Sequence, residues 1–271
     1  EEIKKGDEAI LILDKTPFYA ESGGQVGDSG HIQTNSEKFY VRDTIKIKKN
    51  VFGHVGILES GTLIRNEQVE AFIDEPRRND IKRNHSVTHL LHKALKIVLG
   101  NHVEQKGSLV DNLKTRFDFS HSKSISNEEI HQIESIVNNE ILTNQMTHTQ
   151  MMSIDKAKES GALMLFGEKY ESEVRVLNIG NSIELCGGTH VKNTGDIGLF
   201  KIYSESGVAS GVRRIEGVTG LNLIKFLNDQ EEILTRISKD LNTKTSEIPL
   251  KVSSILTQLK ENEKIQSQLK S

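Results

Sequence analysis

At 271 residues the chain exceeds the usual single-domain size, so two compact units with an appendage are expected. Hydrophobic residues make up only 35% and Trp is absent, which suits a long polar helical element beside a modest core. The net charge of -3 excludes a global positive field, so any nucleic-acid contact must come from local basic patches; a single Cys excludes an internal disulfide. No apolar run reaches the length of a membrane span. The opening residues, Glu1-Glu2-Ile3-Lys4-Lys5, carry no signal-peptide pattern and begin with Glu rather than Met, so the chain reads as a piece of a larger protein.

Between Glu8 and Gly61 short β-prone runs such as Ala9 to Leu13, Phe39 to Val41 and Ile45 to Ile47 alternate with turn residues, which predicts a small β-barrel or meander. Inside it lies a glycine-dense stretch, Thr16 to Gly30. It lacks the Gly-Lys-Ser/Thr ending of a phosphate-binding loop, so it reads either as a backbone able to approach a ligand closely or as a pair of β-turns. Asp74 and Pro76 predict a helix start and Gly100 its stop. Within that helix Val87, Leu90, Leu91, Ala94, Leu95 and Val98 form one aliphatic face. His85, His89 and His92 cluster on the opposite face, toward a cleft or solvent.

A Gly-Ser turn is expected after Gln105, whose amide either faces a substrate or caps a loop. A strand follows near Thr115 to Phe119, and Ser126 with Glu129 forms a capping box ahead of the buried stripe Ile130, Ile133, Val137 and Ile141. Asp155 is expected to cap a short helix ending near Gly161. Glu173 to Ile179, Ser182 to Leu185, Ile197 to Ser204 and Val212 to Val218 read as strands, giving an α+β fold with a mainly antiparallel sheet. Beyond Gly220, Leu223, Leu227, Leu234, Ile237 and Leu241 approximate a heptad seam, and Pro249 starts a second helix. That pattern predicts a helical hairpin or coiled-coil arm, either a spacer or a self-association element. The expected domains are 1–73, 74–220 and 221–271.

The chemistry gathers at Cys186-Gly187-Gly188-Thr189-His190, the site of the only thiol. A C-x-x-x-H pair gives two ligands where zinc prefers four, and His85-x-x-x-His89 is the best source of the other two. One thiolate and three imidazoles suit zinc, one ion per chain. Four protein ligands make a closed structural site, whereas catalysis needs a ligand to loosen or the coordination to expand, and the spacing leaves both readings open. His92 remains a possible intruder. His31, His54, His121, His131 and His148 have no partner at ligand spacing.

Taken together, the His85/His89 pair, Gln105-Lys106-Gly107-Ser108, the Cys186 to His190 turn, Ser210 to Glu216 and the Thr16 to Gly30 segment resemble the editing region of alanyl-tRNA synthetases and of their freestanding alanyl-tRNA-editing relatives. The resemblance runs from about Thr16 to about Gly220. The arm from Leu221 onward resembles the helical segment that follows editing in those synthetases, whose aminoacylation domain would precede Glu1 and whose C-terminal globe would follow Ser271. A threonyl-tRNA synthetase editing domain shares a related fold, but the arm and the first glycine segment favour the alanine enzyme.

The resemblance implies a cytoplasmic deacylase that hydrolyses seryl- and glycyl-tRNA(Ala) within a parent that joins alanine to tRNA(Ala) with ATP. An alanine-sized pocket discriminates weakly against glycine and cannot strongly reject serine, so a second site that binds the hydroxyl is needed. Thr88 and Gln105 are the candidates for that hydroxyl, and Gln105 with amides around Gly107, Gly187 and Gly188 for stabilising the tetrahedral oxyanion. Arg213, Arg214, Lys106 and the Gly23-Gly24-Gln25 turn are the candidate tRNA contacts; for the arginines the alternative is an ion pair with an acid such as Glu216. The competing readings are a freestanding deacylase and a non-catalytic zinc-stapled module for tRNA binding or dimerisation.

Overall fold

The computed structural model describes residues 2–164 and 172–270. Seven strands come first: β1 (Glu2–Lys4), β2 (Glu8–Ile12), β3 (Gly30–Gln33), β4 (Lys38–Lys48), β5 (Val51–Ser60), β6 (Thr62–Ile64) and β7 (Glu70–Ile73). Five of them make an antiparallel sheet in the order β2-β5-β4-β3-β7, and β1 pairs with β6. The two runs expected around Phe39 and Ile45 are one strand, β4, because bulges at Val41/Asp43 and Lys46/Lys48 keep it paired with β5 along its length. Phe18, Ile32, Phe39, Val41, Leu58 and Leu63 fill the core of this region.

The next element, α1 (Glu75–Leu99), starts and stops where the sequence predicts. Asp74 caps it by accepting from the Arg77 N–H, Pro76 sits in its first turn, and Gly100 terminates it. Then come β8 (Gln105–Val110), β9 (Thr115–Ser120), α2 (Asn127–Leu142), β10 (His148–Ser153), α3 (Ile154–Glu159), β11 (Glu173–Ile179), β12 (Ser182–Leu185), β13 (Phe200–Ala209) and β14 (Val212–Thr219). The order β13-β14-β9-β8 forms one antiparallel sheet and β10-β11-β12 another. The aliphatic face of α1 packs with Ile133, Val137 and Ile141 of α2 against Phe117, Phe119, Phe200, Ile202 and Ile215 of the four-stranded sheet. The fold is α+β, and every strand pair in its sheets is antiparallel among the described residues.

Three local expectations are corrected. The Gly-Ser turn after Gln105 is instead part of β8, because pairing with β9 continues past a bulge between Gln105 and Gly107. The cap of α3 is Ser153, whose hydroxyl accepts from the Lys156 N–H, and Asp155 lies inside the first turn. Ile197 ends a 3-10 turn, Thr194–Ile197, so β13 begins only at Phe200.

The glycine-dense segment is tied to both the helix and the four-stranded sheet. Arg78 of α1 grips the Asp28 carboxylate with Nε and Nη2, and Asp28 also accepts from the Tyr19 N–H at 2.6 Å. Val110 N–H donates to Gly24 O at 2.7 Å and Val26 N–H to Val110 O at 3.0 Å. Gly24 has φ +83, and a Cβ there would stand 2.6 Å from Ser108 O, so this junction needs glycine.

The chain forms two compact units, Glu1–Asn222 and Leu223–Ser271. The second holds most of α4 (Gly220–Asp240) and all of α5 (Ile248–Lys270), the two helices expected for the arm. Among the described residues no helix is long and apolar enough to cross a membrane.

Candidate metal centre

His85 and His89 are one helical turn apart, so their side chains project from one face of α1, with ring centroids 5.3 Å apart. That face is not open to bulk water. His85 is 6% exposed, His89 7% and His92 5%, because β12 and the turn after it pack against the helix. Arg175 on β11 pins that turn by donating to Cys186 O at 3.1 Å and Gly188 O at 2.6 Å. The Gly188 N–H donates to Cys186 Sγ at 3.4 Å. Gly188 is required by close approach, since a Cβ would collide with the His85 ring, whereas Gly187 faces open space.

Across about a hundred residues of sequence, the two pairs meet. Cys186 Sγ lies 3.5 Å from His85 Nε2 and 3.3 Å from His190 Nε2. The four donor atoms of His85, His89, Cys186 and His190 all lie within 4.8 Å of one another, a cluster able to hold a metal ion. For tetrahedral zinc with bonds near 2.0 to 2.3 Å, the nitrogen-to-sulfur edge is about 3.5 Å, so the spacing fits.

The outer contacts decide which ring nitrogen is free. His85 Nδ1 lies 2.7 Å from Gln25 Oε1, His89 Nδ1 lies 2.6 Å from Glu184 Oε2, and His190 Nδ1 lies 3.4 Å from Ser86 Oγ. The carboxylate and the amide oxygen only accept, so His85 and His89 carry their protons on Nδ1 and turn Nε2 inward. His89 Nε2 is a buried nitrogen with no hydrogen-bond partner among the described residues, as is His92 Nε2, but of the two only His89 belongs to the donor cluster. His92 does not join the donor cluster. Its Nδ1 is 3.0 Å from Glu184 Oε1, and it shares that carboxylate with His89.

At Glu184, His89, Cys186 and His190 burial disfavours charge, and the neighbours then sort them. For Glu184, burial is outweighed by His89 and His92, which hold the carboxyl well below its usual range. Burial is likewise overcome at His89, where Glu184 and Cys186 raise the pKa to about 10, so that without a cation its Nε2 also holds a proton, which a bound metal would displace. At Cys186 burial opposes ionisation, but His85 and His89 bring the thiol well below its usual value, toward the thiolate a metal needs. Burial and His85 push His190 down to about 3, keeping it a neutral ligand.

His85, His89 and Cys186 line a cavity of about 330 Å³ that Thr88 and Gln105 also face. That volume lies within the range of small-molecule sites, roughly 300 to 1,000 Å³. The Thr88 hydroxyl is 2.7 Å from Asn84 O and 2.6 Å from Thr115 Oγ1. Gln105 makes no side-chain hydrogen bond among the described residues.

The residues expected at tRNA are differently placed. Gln25 is fully buried, and its amide is engaged by Thr189 and His85. Gly23 lines the cavity while Gly24 sits against Ser108. Arg213 forks onto Glu205 at 2.5 and 2.6 Å, and Arg214 onto Asp118 at 2.7 and 2.8 Å. Glu216, the acid expected beside them, pairs instead with Lys114 at 2.6 Å. Lys106 pairs with Glu104 on the surface.

Glu184, Ser86 and Arg175 were not found from the sequence, and Gln25 was expected at tRNA rather than beside His85. Only Glu184 carried a signal, since an acid two places before Cys186 on a strand shares its face.

The antiparallel α+β fold and the buried His/Cys donor cluster define a domain with a candidate metal centre, and two family models match parts of the chain. The family described as "Threonyl and Alanyl tRNA synthetase second additional domain" matches residues 174–216, and "tRNA synthetases class II (A)" matches residues 1–77. The particular relatives are alanine–tRNA ligases. That of Nitrosospira multiformis is 55% identical over 269 residues, 99% of this chain and 31% of that protein. That of Delftia acidovorans is 53% identical over 270 residues, 100% of this chain and 31% of that protein. Over its whole length the chain is thus homologous to a segment of alanine–tRNA ligases, and it spans about a third of the length of the relatives it matches.

Proposed function

We propose that this chain is the editing segment of an alanine–tRNA ligase and hydrolyses the ester that joins serine or glycine to tRNA(Ala). The observation that carries the reading is the placement of His85, His89 and Cys186 along a cavity that also presents Thr88 and Gln105. A buried structural staple has no need of a cavity with an uncommitted amide, that of Gln105, at its edge.

Zinc is the ion that fits best, held by His85, His89, Cys186 and His190, and when bound it supplies a Lewis acid beside the cavity. The protein's own groups do the rest. Gln25, Glu184 and Ser86 orient the three imidazoles, so the donor atoms are in place before substrate arrives. Thr88 recognises the serine hydroxyl, and alanine would leave that polar position unpaired, which is the basis of rejection. Gln105, with its side-chain amide unspent, donates to the oxyanion. Glu184 is not the general base, because both its oxygens already accept from buried histidines. The neighbouring ribose hydroxyl of the tRNA is the remaining candidate for that role. Removal of glycine uses the same ester geometry without the hydroxyl contact.

The full-length protein would join alanine to tRNA(Ala) with ATP in the cytoplasm, and 221–271 would self-associate. The four-ligand set also favours a second reading, a zinc staple without turnover. Incubation of the purified chain with preformed seryl-tRNA(Ala) separates them. Turnover that disappears in Cys186→Ala and in folded, zinc-depleted protein supports editing; no turnover by the zinc-loaded chain supports the staple. Undiminished turnover without zinc overturns the metal assignment.

A further inference from the structure

The cavity has a second wall that the metal chemistry does not use. It is made by the hairpin of β4 and β5, from which Lys46 and Phe52 face inward. The two are direct cross-strand partners, so their side chains stand on one face of the sheet, side by side. Phe52 belongs to none of the three hydrophobic clusters and makes no ring contact among the described residues. Lys46 has no hydrogen bond or ion pair among the described residues, although most basic side chains around the metal centre are committed to carboxylates or carbonyls. Beyond the pair, Lys48 ends the strand and Lys49 and Asn50 make the hairpin tip, Asn50 with φ 60. Ser22 and Gly23 of the glycine segment line the same cavity.

An uncommitted aromatic face beside an uncommitted ammonium is the pairing that grips single-stranded nucleic acid, the ring stacking on a base and the cation meeting a phosphate. A small free amino acid could offer its carboxylate to the ammonium but has no base to stack on the ring. The local cations also supply the basic patch that the chain's net charge of -3 does not provide globally. We propose that Lys46 and Phe52 form a clamp for the last nucleotides of an RNA 3′ end, which holds the terminal sugar at the metal side of the cavity. The clamp rests on the editing reading for the identity of the RNA. It is a binding device and takes no part in bond cleavage.

The test measures binding and turnover separately. Affinity for an uncharged oligoribonucleotide with the tRNA(Ala) acceptor-end sequence is read by fluorescence anisotropy at several salt concentrations, and kcat and KM are read on seryl-tRNA(Ala). Phe52→Leu keeps an apolar side chain but removes the stacking face, and should weaken oligonucleotide binding about tenfold and raise KM with kcat little changed. Phe52→Trp should retain binding. Lys46→Ala should lower the slope of log affinity against log salt by about 0.7, the share of one single-strand phosphate contact, and Lys46→Arg should restore it. Wild-type affinity and salt slope in folded Phe52→Leu and Lys46→Ala overturn the clamp, even if seryl-tRNA is still hydrolysed. Weakened oligonucleotide binding in a chain that hydrolyses nothing leaves the clamp standing and removes the editing reading instead.

Discussion

Glu184 Oε2 lies 2.6 Å from His89 Nδ1, while the other oxygen of the same carboxylate takes His92 at 3.0 Å and the Ser182 hydroxyl at 3.1 Å. β12 and the turn after it thus deliver both a candidate metal ligand, Cys186, and the acceptor that aims another, His89. In Glu184→Gln a single amide oxygen must serve two histidines, and one buried N–H loses its partner. Metal affinity, measured by competition with a chromophoric chelator, should fall about 10- to 100-fold. Cobalt(II) substitution should still give a thiolate charge-transfer band, since Cys186 is untouched; retention of full affinity would show that Glu184 orients nothing.

Gly187 and Gly188 are adjacent yet should behave oppositely. A Cβ at Gly187 meets nothing within 4 Å, whereas one at Gly188 runs into the His85 ring and comes within 2.9 Å of Gln25 Oε1. Gly187→Ala should bind one metal ion with nearly unchanged affinity. Gly188→Ala must push His85 aside and should lose the ion at micromolar chelator concentrations that leave Gly187→Ala loaded. Equal metal content in the two variants would contradict the packing around His85.

Metal removal should be felt as lost stability, because the ion would join α1 to the turn after β12. An ion present at a hundred times its dissociation constant adds about 2.7 kcal/mol. For a unit of this size that corresponds to roughly 5–10 °C in Tm. Calorimetry of loaded and EDTA-treated protein should show the difference in the wild type. In Cys186→Ala it should largely vanish, since the thiolate contributes the strongest ligand of the set.

Much of this arrangement was legible because it is local. Asp74, Pro76 and Gly100 bound α1 through capping chemistry that acts within one turn, and Ser126 with Glu129 did the same for α2. The H-x-x-x-H and C-x-x-x-H spacings announced two ligand pairs, and residue chemistry alone suggested joining them. What escaped depends on register between distant segments. Glu184 is one of 38 acidic residues, and its place two before Cys186, the one signal it carries, does not say that β12 will lie against α1 so as to meet His89, 95 positions away. The same is true of Gln25, which appeared to belong to a ligand-facing glycine turn and instead reaches His85 across 60 positions. Gly107 and Ser108 looked like a turn because their propensities favour one, but pairing with β9 overrides propensity.

A last prediction concerns a histidine to which the sequence assigned nothing. His54 on β5 is fully buried, with Nδ1 2.9 Å from Leu11 O and Nε2 2.7 Å from Thr16 Oγ1. The carbonyl can only accept, so Nδ1 carries the proton and Nε2 accepts from the hydroxyl, a neutral imidazole with both nitrogens satisfied. Burial lowers its pKa, against a smaller opposing pull from the Leu11 carbonyl. The unfolded chain, with an ordinary value near 6.5, therefore takes up this proton first as the pH falls. The stabilisation is complete above about pH 6.5 and is lost on acidification below it, by at most about 1.4 kcal/mol per pH unit, until the folded-state value is reached. His54→Asn keeps a donor for Leu11 but no titrating ring. It should be less stable than wild type at pH 7.5, and its urea midpoint should decline less steeply between pH 7 and 5.5. Parallel declines in the two proteins would mean that His54 is not a source of acid sensitivity.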